Sequence, residues 1–112
     1  MPPLIDNALM DRFRDQPVVL RGLLELYLET SQLTIRNIDA SLQSDNLEQI
    51  AFHAHSLKGS SLELGAKDLA AICQQLQVTA EDADKVSTVA LVRRLLRCYK
   101  ETSTALLELD ID

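Results

Sequence analysis

The two histidines of the chain, His53 and His55, fall together in the run HAHSLKGSS at 53–61. Imidazole titrates near neutral pH, so its uncharged, nucleophilic form is available without extreme surroundings. Lys58 follows His55 by one helical turn and can meet charge that develops at the ring. Gly59 comes next. Glycine in a helix interior costs about 1 kcal/mol against alanine. That expense points to close approach by another molecule, or to a kink.

A helical wheel divides the two histidines. One residue advances an α-helix by about 100°. With His55 at zero, Glu48 lies at about +20°, Ala51 at −40°, Phe52 at +60°, Lys58 at −60°, Gly59 at +40° and Leu62 at −20°. These residues form one face. Ile50, Leu57 and Leu64 lie within about 40° of the opposite pole, which must face the core. His55 therefore points outward. His53, at about 160°, is expected at the core or its edge with a hydrogen-bond partner. An H-x-H pair on a helix is a poor chelate, because two ligands on one face need a spacing of four. Phe52 and Leu62 are apolar on an otherwise polar face, which suits a docking surface around a reactive group.

The elements that position this face read as helices throughout. The chain has 112 residues, 46% hydrophobic and 25% charged, with three glycines and three prolines. That is a one-domain length, 1–112, with 1–5 and 110–112 expected to fray. Asp6 is placed to cap a short helix bearing Leu9, Met10 and Phe13. Pro17 opens a long helix to about Leu42, whose seam is Leu20, Leu24, Tyr27, Ser31, Ile35, Ile38 and Leu42. Leu23, Leu26 and Leu33 lie off the seam, and the short first helix is the candidate to cover that side. SDN at 44–46 caps the histidine helix, which ends at Gly65. A fourth helix carries Leu69, Ile72, Cys73 and Leu76. The polar run 80–87 reads as a frayed end and loop, with Ser87 or Thr88 capping a fifth helix through Val92, Leu95, Tyr99, Leu106 and Leu109. The expected fold is all-α, an antiparallel up-down four-helix bundle with an additional short N-terminal helix.

The Gly65-Ala66 turn adds a residue to the site. His55 and Gln77 lie equally far from Ala66, before and after it, so an antiparallel hairpin sets them level. Gln77 is then a candidate to bond one imidazole nitrogen and fix the tautomer, leaving the other nitrogen exposed.

Composition excludes other classes. A net charge of −6 argues against nucleic acid and anionic membranes as partners. No apolar run approaches the ~20 residues of a membrane span, and no signal-peptide pattern opens the chain, so a cytoplasmic protein is expected. Cys73 and Cys98 are expected as free thiols.

The segment AHSLKGSSLELGAKDLAAICQQLQ at 54–77 resembles the histidine-containing phosphotransfer (HPt) domain of multistep two-component phosphorelays. The family pattern is H-x-L-K-G-[SA]-[SA], a leucine-glycine-alanine turn, then L-x-x-x-C-x-x-L-[EQ]. His55, Leu57, Lys58, Gly59, Ser60, Ser61, Leu64, Gly65, Ala66, Leu69, Cys73, Leu76 and Gln77 all match it. The resemblance implies that His55 is the phosphorylated nucleophile and that Lys58 supports it electrostatically. Gly59 would give the partner room, Gln77 would orient the imidazole, and Cys73 would be a packing residue. Many members have Glu where this chain has Gln77. The implied partners are response-regulator receiver domains, including those of hybrid sensor kinases. They would dock on Glu48, Ala51, Phe52 and Leu62 and supply both the aspartate and Mg²⁺. The chain would be a monomer with no metal or cofactor of its own and no autokinase activity. Two rival readings are a bundle that only binds a partner through this face, and a metal or redox site built from His53, His55, Cys73 and Cys98.

Overall fold

The computed structural model describes residues 5–109. Five helices follow one another: α1 (Ala8–Arg12), α2 (Pro17–Gln43), α3 (Leu47–Leu64), α4 (Lys67–Glu81) and α5 (Lys85–Leu107). No strand occurs among the described residues. Helix α3 packs on α2 and α4, and α5 packs on α4 and α2, so the four long helices close an antiparallel ring. The expected four-helix bundle with a short extra helix is the fold observed.

Each long helix buries a stripe. On α2 the buried residues are Leu20, Leu24, Tyr27, Ser31, Ile35, Ile38 and Ser41, following the predicted seam until its last turn. Ile50, Ala51, Ala54, Leu57, Ser61 and Leu64 supply the stripe of α3. Leu69, Ala70, Ile72, Cys73, Leu76 and Ala80 supply that of α4. Burying one such leucine or isoleucine is worth about 1.5–3 kcal/mol. Aromatics are scarce, so aliphatic side chains carry the core. The two tyrosines instead cross-link helices through buried hydroxyls. Tyr27 Oη lies 2.9 Å from Ser61 Oγ, joining α2 to α3. Tyr99 Oη lies 2.7 Å from Ser31 Oγ, joining α5 to α2. Among the described residues no buried side-chain nitrogen or oxygen lacks a partner.

The turns fix which helix ends meet. Asn46 caps α3 by accepting from the Gln49 amide at 3.1 Å. Asp84, not Ser87 or Thr88, caps α5 by accepting from the Ser87 amide at 3.1 Å. Hydrogen bonding from Ser87, its side chain first and then its amide, holds the Asp84 carboxyl below the ordinary range. The run 80–87 is therefore mostly helix, with a three-residue break at 82–84. Glu81 and Lys85 are exposed on the two helix ends, and Ala83 makes the turn between them with φ 58°. At the same end of the bundle Lys85 pairs with Asp45 at 3.0 Å.

The opposite end holds the α3–α4 turn. Gly65 adopts φ 87°, the left-handed closure that favours glycine. Asp6 docks directly on it. Its amide donates to Gly65 O at 3.0 Å, and its carboxylate accepts from the Ala8 amide at 3.1 Å and meets Lys67 Nζ at 3.2 Å. The Ala8 amide, then Lys67, holds the Asp6 carboxyl below its ordinary range. The predicted cap thus also ties α1 to the turn. Ile5 packs against the core rather than fraying, as do Met10 and Phe13. The rest of 1–5 and 110–112 lies outside the described residues. Helix α1 is too short to cover α2 fully. Val18, Val19, Leu23, Leu26 and Leu33 remain exposed.

Gly65→Ala places a methyl group against the Asp6 carboxylate in a backbone conformation that disfavours it. The expected result is a loss of about 1–3 kcal/mol in urea unfolding. Unchanged stability would show that the turn tolerates a side chain.

Candidate functional site

The site is built across the α3–α4 hairpin. His55 is exposed near the middle of α3. Its Nδ1 lies 3.2 Å from Gln77 Oε1 on α4, the level pairing expected from the turn. Lys58 is half-buried rather than fully exposed, and its Nζ donates to Gln74 Oε1 on α4 at 2.7 Å. Gln77 in turn donates from Nε2 to Glu81 Oε1 at 2.8 Å. Gln74 and Gln77 of α4 therefore engage Lys58 and His55 of α3 directly, and Glu81 engages Gln77. Sequence reasoning found Gln77 by symmetry and missed Gln74 and Glu81. Their signal was available: they lie one turn on either side of Gln77 on the same face.

An amide oxygen accepts only, so Nδ1 must carry the proton in its bond to Gln77. That leaves Nε2 with a free lone pair. The exposed arc around it includes Glu48, Gly59, Phe52 at 66% exposure and Leu62 at 53%. Neighbouring helices leave both apolar side chains open. A Cβ at Gly59 would meet no atom of the chain within 4 Å. The glycine's cost is therefore not recovered by packing inside this molecule, and the space above it is free.

Two expectations for this helix fail for one reason. Ala51, assigned to the open face, is only 8% exposed and belongs to the core. His53, assigned to the core side, is half-buried, with its ring edge-on to Phe52 at 5.3 Å. It has no hydrogen-bond partner among the described residues. The buried set includes the small residues Ala51, Ala54 and Ser61 as well as the large apolar ones. They turn the buried arc toward α4, to a centre near −110° on the wheel. The open arc then centres between His55 and Ser56, with Phe52 and Gly59 inside it and His53 at its far edge.

The thiols lie elsewhere. Cys73 is buried and Cys98 half-buried, both free. Burial pushes the Cys73 thiol up to about 12, and burial raises Cys98 as well. No group of three or more His, Cys, Asp or Glu side chains is placed to hold a metal ion among the described residues. No helix there is long and apolar enough to cross a membrane.

A four-helix bundle with an exposed, amide-anchored histidine and an adjacent lysine defines a class, and comparison with known proteins identifies it. The family model described as Hpt domain matches residues 22–108. The chain belongs to the Hpt domain family. Multistep phosphorelay regulator 1 of Schizosaccharomyces pombe is 27% identical over 79 residues, covering 66% of this chain and 27% of that protein. Phosphorelay intermediate protein YPD1 of Candida albicans is 30% identical over 63 residues, covering 56% of this chain and 34% of that protein. The chain thus spans about a quarter to a third of the length of the curated relatives it matches. The crystal structure of histidine-containing phosphotransfer protein B (HptB) from Pseudomonas aeruginosa PAO1 has the same fold, with a TM-score of 0.88 at 24% identity. That match covers 96% of this chain and 95% of the other.

The thiol environments have a measurable consequence. An unfolded thiol ionises near about 8.5, while native Cys73 stays protonated up to about 12. Stability supplied by the buried neutral thiol is complete below the unfolded value and declines as pH rises from there toward the native one. Iodoacetamide at mildly alkaline pH should label Cys98 before Cys73 in the native protein, and both alike in urea. Faster native labelling of Cys73 would contradict its burial.

Proposed function

We propose that Nε2 of His55 takes a phosphoryl group from a receiver-domain aspartate and passes it to another. The observation that carries this reading is the bond from His55 Nδ1 to Gln77, which leaves Nε2 unprotonated on the open face. The Nε2 lone pair attacks phosphorus as the acyl P–O bond breaks. The bonding electrons return to the aspartate carboxylate, and a P–N bond forms. The proton on Nδ1 stays where it is, held by Gln77. In the second transfer a carboxylate oxygen attacks phosphorus and the P–N electrons return to Nε2. No proton need move, so no general base is required, and catalysis is a matter of position and charge.

Lys58 supports the phosphoryl group. Its ammonium rests on a neutral amide oxygen, which it can exchange for a phosphoryl oxygen, a stronger charge-assisted partner. Gly59 admits the receiver. Phe52 and Leu62, with Glu48 beside them, form the docking face, and Ala51 supports it from beneath. The receiver brings the acceptor aspartate and Mg²⁺. The module acts in the cytoplasm, as a monomer, without autokinase activity.

Label transfer from a phosphorylated cognate receiver tests the assignment. The label should be acid-labile and alkali-stable, as a phosphoramidate is. It should vanish in His55→Gln and persist in His53→Gln. Lys58→Ala should slow transfer by about 10–100-fold, the worth of a charge-assisted hydrogen bond. Its bundle should lose less than about 1 kcal/mol, since the residue is only half-buried. Label retained in His55→Gln would reject the reading in favour of another phosphoacceptor. An unlabelled but receiver-binding wild-type chain would favour a pure interaction module.

Gly59→Ala separates close approach from a mere kink. It should stabilise the helix by about 0.5–1 kcal/mol, because the methyl meets nothing in this chain. Transfer should slow nonetheless. A stabilised variant with full transfer rate would show that the partner does not use the gap.

A further inference from the structure

We propose that Glu81 is a positioning residue that sets the tautomer of His55 through Gln77. The inference deepens the reading of His55 as phosphoacceptor and rests on it. Gln77 alone does not specify a tautomer. Its amide presents an acceptor oxygen at one corner and a donor NH₂ at the other, with nearly the same shape. With oxygen toward His55, Nδ1 carries the proton and Nε2 is a nucleophile. With NH₂ toward His55, Nδ1 becomes the acceptor, the proton moves to Nε2, and the exposed nitrogen has no lone pair to give. One rotation of the amide separates a competent site from an inert one.

Glu81 removes the ambiguity. Its carboxylate accepts hydrogen bonds and donates none. At 2.8 Å from Gln77 Nε2, one helical turn along α4, it claims the NH₂ group. Only the amide oxygen is then left for His55, where it lies 3.2 Å from Nδ1. The row reads Nε2 lone pair, Nδ1–H to Oε1, then Nε2–H of the amide to the carboxylate. Each donor and acceptor is fixed by the next, and the whole chain of choices ends on a group with a single option. The negative end also polarises the amide toward the ring, favouring positive charge on the imidazole when the P–N bond forms. Glu81 touches neither phosphoryl group nor partner in this scheme, so its influence passes through Gln77. It occupies the last turn of α4 and is exposed, so replacing it does not disturb the core.

The test reads the tautomer directly. Chains labelled with ¹⁵N at the imidazole are compared by long-range ¹H–¹⁵N correlation, well above the ordinary imidazole titration range. Transfer from the phosphorylated receiver is timed in parallel. The wild-type chain should show His55 mainly as the Nδ1–H form. Glu81→Lys replaces the acceptor by a donor, so Gln77 should turn its oxygen to the new ammonium. The Nε2–H form should then predominate, and transfer should slow on the order of tenfold or more. Glu81→Gln offers a donor as well as an acceptor, so it should leave the two tautomers mixed and slow transfer less than Glu81→Lys does. In a Gln77→Leu background, Glu81→Lys should have no further effect on the tautomer.

An Nε2–H majority in the wild-type chain would overturn the proposal. So would an unchanged tautomer in Glu81→Lys, whether the rate holds or falls, because a rate loss alone is what a docking defect produces. The tautomer measurement needs no phosphoryl donor. A wild-type chain that shows the expected tautomers but takes no label at His55 would therefore sink the phosphoacceptor reading and leave the positioning inference standing.

Discussion

The left-handed turn at Gly65 decides which residues of α3 and α4 face one another, and the site depends on that register. Two antiparallel helices joined by so short a turn have little freedom to slide. Gly65 closes α3, the Asp6 amide occupies its carbonyl, and Lys67 pairs with the Asp6 carboxylate just beyond. From this pinned end the helices run side by side, and His55 meets Gln77 while Lys58 meets Gln74. A one-residue slip would turn Gln77 away by about 100° and leave the imidazole unanchored. The small helix α1 therefore has a part in setting the register of the site although it lies away from it.

The open face is the other constraint, and it is held open against the preferences of the fold. A bundle gains stability by burying apolar surface and by filling helices with good helix formers. Helix α3 does neither over its outer arc. Phe52 and Leu62 stay exposed, and Gly59 sits over empty space. The core supplies the compensation on the other side of the same helix. Ala51 and Ala54 let α4 come close, and Ser61 satisfies the buried Tyr27 hydroxyl. Ser61, two residues past Gly59 in the same motif, is thus a packing residue. Within HAHSLKGSS, reactive and structural positions alternate with the helical period rather than forming one cluster.

That period is also what made most of the molecule legible in the sequence. Leucine and isoleucine at spacings of three and four mark α2, α4 and α5, and the seam of α2 was readable almost to its end. Capping was less so. Asp84, Ser87 and Thr88 are all plausible N-caps, and the choice among them follows from where Ala83 can turn, a backbone property the residue type does not announce. On α3 the error was angular. The large apolar residues alone misplace the buried pole, because Ala51, Ala54 and Ser61 are buried on the same helix. Counting Ala51, Ala54 and Ser61 as core rotates the wheel enough to correct both Ala51 and His53. His55 and Gln77 were legible because one lies opposite the leucine stripe and the other is fixed by symmetry about a turn. Gln74 and Glu81 become legible only once Gln77 is placed, since they share its face of α4 one turn to either side and no motif of their own marks them.

The presence of glutamine at 77 gives Glu81 its importance. A carboxylate in the position of Gln77 would accept from Nδ1 in either rotamer, so the tautomer would be set by a single residue. It would also place a negative charge against the ring, close to where a phosphoryl dianion would arrive in the proposed transfer. An amide avoids that charge but loses the built-in direction, since its two ends differ in hydrogen-bonding sense and hardly in shape. Moving the carboxylate one turn along the helix recovers the direction while setting the charge farther from the phosphoryl group. Positions 77 and 81 are then one device in two parts. The residue tolerated at 81 depends on the residue at 77: with a carboxylate at 77 the side chain at 81 is unconstrained, whereas with an amide there it must accept a hydrogen bond and not donate one.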